Sequence, residues 1–277
     1  MAEENIQNPG SALGEAIGSL MERSLGSRIG PLVVENDCLY ITSGPINKKT
    51  GKKTKLLLRD ENGIDYNIDA LIANKKFQPL ILIESKYIRY KKHNRDKGSW
   101  VCTAHTALRR RFSSIRSSIT ILAGNWSKTS KALLRSFDVT LFEIPFDDIC
   151  RILADYGIDF NWEEKDREKA FVAWNNFLKL DEPHRNEIGD RMIELIAGDL
   201  KKIVLTVLDD SVPRKITEVE VQVTTSFGEV KIFRFDDVKN AAMFLKDIDN
   251  EELLSTDKSP TLFDVIKPLE DEETEEG

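Results

Sequence analysis

Along the first third of the chain the apolar positions change period several times. Residues 11–25 place Leu13, Ala16, Ile17, Leu20 and Met21 at helical spacing, with Glu15 and Glu22 together on the opposite face. Residues 32–42 read as a strand, and a loop rich in Lys and Gly follows at 48–55. Two apolar runs then flank a short polar turn: YNIDALIA at 66–73 and PLILIESK at 79–86. Their length and composition predict the two strands of a β-hairpin.

Beyond the hairpin comes a very basic segment, 86–97, and then a helical pattern at 100–116 with Val101, Ala104, Leu108, Phe112 and Ile115 in one stripe. Residues 118–124 read as a buried strand, 127–136 as a short helix, 138–144 as a strand and 146–156 as a helix. That order predicts an α/β fold, a mixed sheet flanked by helices with an α-β-β-β-α-β-α-β core. After Asn161 the pattern changes to two amphipathic helices at 163–180 and 183–204, the first carrying Phe171, Trp174 and Phe177. A β-hairpin (216–224 and 229–235) and a helix at 238–248 follow. The expected division is therefore a domain over 1–160, an accessory helical and hairpin domain over 161–255, and an acidic disordered tail at 256–277.

Charge sharpens this division. The net charge is −7, yet residues 1–150 hold 23 Lys and Arg against 16 Asp and Glu, while residues 151–277 hold 17 against 31. A basic front half suits a polyanionic partner, and the acidic rear half suits a protein–protein role. Cys38, Cys102 and Cys150 are far apart, which fits free thiols in a reducing cytoplasm. His93, His105 and His184 are as scattered, which argues against a histidine-based metal centre. No apolar run approaches the roughly 18 residues of a membrane span. The acidic start Met1-Ala2-Glu3-Glu4 is unlike a signal peptide. The Gly-x4-Gly-Lys-Ser/Thr signature of a nucleotide-binding loop is absent from the sequence.

The hairpin carries charge where buried strands carry none. Asp69 stands in the first run, and Glu84 and Lys86 end the second. Unpaired charge in an apolar setting is costly, so these three groups either compensate one another as a buried ion pair or hold a cation. Asp69 and Glu84 offer carboxylate oxygens of the kind Mg²⁺ prefers, and the main-chain carbonyl of Ser85 adds a third ligand. Lys86 shares a strand face with Glu84, where it can orient an attacking water or meet a phosphate. Asp65, four residues before Asp69, is a rival for the aspartate role. Asp69 is favoured because apolar residues flank it.

Asp69, fourteen intervening residues and Glu84-Ser85-Lys86, on a hairpin between a leading helix and an α-β-α-β run, resemble the PD-(D/E)xK nuclease superfamily over residues 10–157. Ile68 stands where the namesake Pro would be. The resemblance implies a restriction endonuclease-like fold and a Mg²⁺-dependent DNA endonuclease, with Mn²⁺ as a possible substitute. It further implies double-stranded DNA as substrate, a homodimer to cut both strands, and a role in prokaryotic defence. The alternatives are a structure-specific repair or recombination nuclease and a non-catalytic DNA- or protein-binding relative. It also suggests an acidic residue on the first helix near the metal: Glu22 first, with Glu15 or neither, both then solvent-exposed, as the alternatives. Lys91, Lys92 and Arg95 lead out of the catalytic strand, and Arg109 and Arg110 lie on the next helix. These are the expected backbone contacts, which position a duplex without reading its sequence. His105, Trp100 and Trp126 are expected to pack rather than to react.

Overall fold

The structure, a computed structural model, describes residues 8–90, 94–163, 165–248, 253 and 261. A five-stranded mixed sheet organises its larger unit, Met1–Ser211. Its strands are β1 (Cys38–Ile41), β4 (Ala70–Asn74), β5 (Pro79–Ile88), β6 (Ser117–Gly124) and β7 (Val139–Pro145), side by side in that order. β1 and β5 both run antiparallel to β4, and β5, β6 and β7 are parallel. β2 (Leu57–Arg59) and β3 (Asp65–Asn67) form a separate two-stranded ribbon.

Helices cover both faces. α1 (Pro9–Glu35), α4 (Phe146–Ala154), α5 (Arg167–Lys179) and α6 (Glu182–Leu208) share one core with Ile81, Ile83, Ile119 and Ile121 of the sheet. On the other face α2 (Asn94–Arg111) packs Ala104 and Leu108 against Leu82, and α3 (Lys128–Ser136) packs Leu134 near Leu122. From Ile81 onward, alternation along β5 sends odd-numbered side chains toward α1 and even-numbered ones toward α2. α2 and α3 are the crossovers that parallel neighbours require.

Local sequence accounts for the first helix. The Asn8 side chain accepts from the Ser11 N–H at 3.1 Å, and Pro9 opens the first turn. Residues 32–35, expected as strand, are helical instead. Ile29 and Val33 continue the stripe of Leu13, Ile17 and Leu25 into the core, and that burial outweighs their β-branched preference. The helix stops at Asn36, and Asp37, at φ +58°, turns the chain into β1. α1 and α6 cross closely: a Cβ on Gly189 would stand 2.7 Å from the Leu20 carbonyl oxygen, so a larger residue would force the helices apart.

The domain boundary differs from the one expected at residue 160. α5 and α6 bury Ala173, Phe177, Ile188 and Ile193 in the core that α1 shares, so they belong to the first unit. The buried face of α5 is Ala170, Ala173 and Phe177, with Phe171 half exposed. The second unit, Val212–Gly277, holds the hairpin β8 (Val219–Thr224) and β9 (Val230–Phe235) and helix α7 (Val238–Asp247). Phe244 of α7 packs on Phe233 and Phe235. The acidic tail lies outside the described residues apart from Thr261. Among the described residues no helix is long and apolar enough to cross a membrane, and all three cysteines are free.

Candidate functional site

Three strands' ends meet where the β4–β5 ladder opens. Ala70 pairs with Ile83, and past that pair the chain leaves the sheet for the β2–β3 ribbon, where the Ile68 N–H donates to the Leu56 carbonyl. Asp69 stands at this junction rather than inside a strand, which corrects the expected continuous strand over 66–73. The position frees its side chain to reach across to β5. Asp69 Oδ2 accepts from the Ser85 N–H at 2.9 Å and from Lys86 Nζ at 2.8 Å. Lys86 Nζ also pairs with Glu84 Oε2, so one ammonium bridges two carboxylates.

These groups differ in burial. The Glu84 side chain is 1% exposed, while those of Asp69 and Lys86 are both 21% exposed. Burial drives the Glu84 carboxyl upward; Lys86 opposes this, the Asp69 charge adds to it, and the result is about 8. Burial also raises Asp69, but the Glu84 carboxyl, the Lys86 ammonium and the Ser85 N–H together hold it below its ordinary value. For Lys86 the two acids overcome burial and hold the ammonium above its ordinary value. The set thus carries one proton on Glu84, an ionised Asp69 and a charged Lys86, close to neutral overall.

His105, on α2, places Nε2 4.0 Å from Glu84 Oε1, and neither ring nitrogen has a hydrogen-bond partner. Burial, then Lys86 and Arg109, push it down to about 3, so the ring is neutral. It lines the floor beside Glu84 as a packing residue. Trp126 also packs, its indole N–H donating to the Lys86 carbonyl at 3.3 Å. Trp100 is half exposed, with its ring 5.6 Å from Tyr66.

Glu22 arrives from the opposite side of the sheet. It lines a cavity of about 560 Å³ together with Tyr40, Asp69 and Ser85. Burial raises its carboxyl and the Asp69 charge raises it further, against Lys86. Burial, then Glu22 and Asp69, likewise raise the Tyr40 hydroxyl, which no sequence signal marked. Glu15, two turns earlier on α1, lines a neighbouring cavity. Asp65 is not at the site: it forms an exposed two-bond pair with Arg59 across the ribbon, at 2.8 and 2.9 Å.

The basic residues divide. Lys91 and Lys92 lie outside the described residues. Arg95 is exposed on the first turn of α2. Arg109 and Arg110 are on its last turn, lining a separate depression with Ser136, Phe137 and Asp138. Arg111 and Arg116 serve the fold, donating to the carbonyls of Asp60 and Val207.

Among the described residues no group of three or more His, Cys, Asp and Glu side chains is placed to cage a metal ion. The donors at the junction are two carboxylates and the Ser85 carbonyl, all oxygen. Of the two buried Glu84 oxygens, Oε2 pairs with Lys86 and Oε1 has no hydrogen-bond partner. Such a sparse oxygen set suits Mg²⁺, which keeps much of its water shell.

No protein-family model matches the chain, and no curated protein matches it. A crystal structure described as a protein of unknown function, AF1548, is similar over 67% of this chain and 98% of its own, at 12% identity and a TM-score of 0.30. So slight a likeness carries no argument.

Proposed function

We propose that the chain is a Mg²⁺-dependent deoxyribonuclease with a restriction endonuclease-like core, its hydrolytic centre formed by Asp69, Glu84 and Lys86. The observation that carries this reading is the double bridge: Lys86 holds both carboxylates where the ladder opens, with Ser85 and Glu22 at the same opening. A structural ion pair needs one acid and one base. Two acids at a ladder end, one with a buried oxygen left without a donor, suit a ligand set better than a stabilising contact.

Asp69, Glu84 and the Ser85 carbonyl would hold the Mg²⁺, whose contribution is positive charge against a phosphate oxygen and a more acidic bound water. Asp69 is ionised and stays oriented by two donors. Lys86 is charged and meets either the attacking water or the growing negative charge on the phosphate. Glu22, whose carboxyl burial and the Asp69 charge raise above its ordinary value, lines the same opening and is the candidate proton carrier. Arg95, with Lys91 and Lys92, supplies contacts to the DNA backbone in this proposal.

Plasmid and phage DNA incubated with the chain and Mg²⁺ test the proposal, alongside Asp69→Ala and Lys86→Ala. Discrete fragments lost in both variants support a site-specific defence endonuclease. Nicks or smears lost in both variants support the same centre in a repair or processing nuclease. Persistence of intact DNA, or equal cleavage by the variants, removes the assignment.

A further inference from the structure

Past Lys86, the odd-numbered face of β5 leads to Arg89. Its side chain is 8% exposed and stacks 3.7 Å from the Trp162 ring centroid and 4.3 Å from that of Phe160. One nitrogen, Nη2, donates to the Trp162 carbonyl at 2.9 Å. Nε and Nη1 have no acceptor, and among the described residues no carboxylate forms an ion pair with this guanidinium. Aromatic faces stabilise a cation from above and below. They do nothing for N–H groups in its plane, which in folded proteins nearly always find acceptors.

Arg89 lines a cavity of about 730 Å³ that also borders Lys86, Lys97, Tyr90 and, across from them, Gly14 and Gly18 of α1. Lys97 Nζ donates to the Tyr87 carbonyl at 3.2 Å, and burial, then Lys86, lower its pKa; Glu15 and Glu22 of α1 border the same cavity. The Tyr87 hydroxyl in the same wall is buried and unpartnered. Packing explains Gly14, where a Cβ would come within 3.1 Å of the Tyr87 ring. It does not explain Gly18, where the nearest atom is 3.9 Å away, and the effect there is to keep the wall low.

We propose that this cavity receives the nucleotide next to the scissile phosphate of an unpaired strand, its phosphate on Arg89 and Lys97 and its base against Tyr90. This rests on the nuclease reading and names its substrate more closely. The volume falls within the roughly 300–1,000 Å³ of small-ligand pockets, room for a nucleotide. Cations lining a groove beside an aromatic face are the means by which single strands are held without sequence preference.

The test uses the full chain with Ca²⁺ in place of Mg²⁺, so that binding is read apart from hydrolysis. Labelled oligo-deoxythymidylate and a blunt duplex of equal length are titrated by anisotropy. The single strand binds about tenfold tighter than the duplex, and Gly18→Leu removes about that factor. Lys97→Gln, an exposed position that keeps the fold, lowers the log–log salt slope by about 0.7. Absent single-strand binding, equal affinity for the duplex, or intact binding and salt slope in both variants overturns the proposal. Cleavage in Mg²⁺ alongside any of those results leaves the nuclease reading standing and the cavity assignment refuted. Strand-selective binding lost in Gly18→Leu, with no cleavage, does the reverse.

Discussion

Buried charge occurs twice within six residues, on β5 and just past its end, and the two places handle it differently. At Glu84 and Lys86 the chain supplies its own compensation: a second acid from the neighbouring junction, an ammonium between the two, and a proton on the more buried carboxyl. At Arg89 the chain supplies ring faces and one carbonyl, and leaves two nitrogens without acceptors. The first arrangement is close to neutral and can exchange its internal partners for a cation and water. The second remains positive and calls for an anion from outside. Lys86 and Arg89 border one cavity, so a phosphodiester held there would lie within reach of both arrangements.

The comparison breaks most decisively at Asp69. Asp69→Ala removes the acid that orients Lys86 and is expected to lower the Mg²⁺-dependent cleavage rate by about 10³-fold, read on gels at matched protein concentration. A loss below about tenfold means that the junction is structural.

The proton on Glu84 can be tested by stability alone. Between pH 4.5 and about 8 the folded chain keeps a proton that the unfolded chain has released. Stability therefore falls as pH rises through that window, by up to about 1.4 kcal/mol per unit. Glu84→Gln has no such proton, so its melting temperature should decline less between pH 5 and 8 than that of the intact chain. Parallel curves would mean that Glu84 is ionised in the folded state.

Arg89→Met keeps the apolar stem and removes the cation. The loss of the ring contacts and the Trp162 hydrogen bond should cost about 1–3 kcal/mol in chemical denaturation. A larger loss, as for a broken buried ion pair, would mean that Arg89 has an internal counter-charge and no need of a ligand.

Asp65→Ala sharpens the contrast at its low end. Asp65 pairs with Arg59 on the exposed ribbon, so cleavage and melting temperature should both stay at the values of the intact chain. A cleavage defect matching that of Asp69→Ala would reverse the choice between the two aspartates.

Much of the sheet was legible in the sequence because its signals are local. Glu84 and Lys86 close the continuous apolar run of β5, and the strand–helix–strand order through Pro145 follows from short apolar runs and their spacing. Residues 32–35 misled because Leu32, Val33 and Val34 favour a strand in isolation, whereas the core beneath α1 fixes Val33 as helical. The break at Asp69 is invisible in an unbroken alternation, since it arises from the Ile68 hydrogen bond to Leu56 twelve residues earlier. Arg89 was missed for a related reason: its rings and carbonyl lie over 70 residues away, at Phe160 and Trp162. The change of pattern after Asn161 suggested a boundary, but buried apolar faces on α5 and α6 place both helices in the first unit.

End-labelled DNA incubated with the intact chain in Mg²⁺, in Ca²⁺ and in EDTA tests the central claim most directly. The account predicts shortened products in Mg²⁺ and full-length label in EDTA, with Ca²⁺ supporting binding but little cleavage. Full-length label in all three, or equal shortening with and without Mg²⁺, would contradict it.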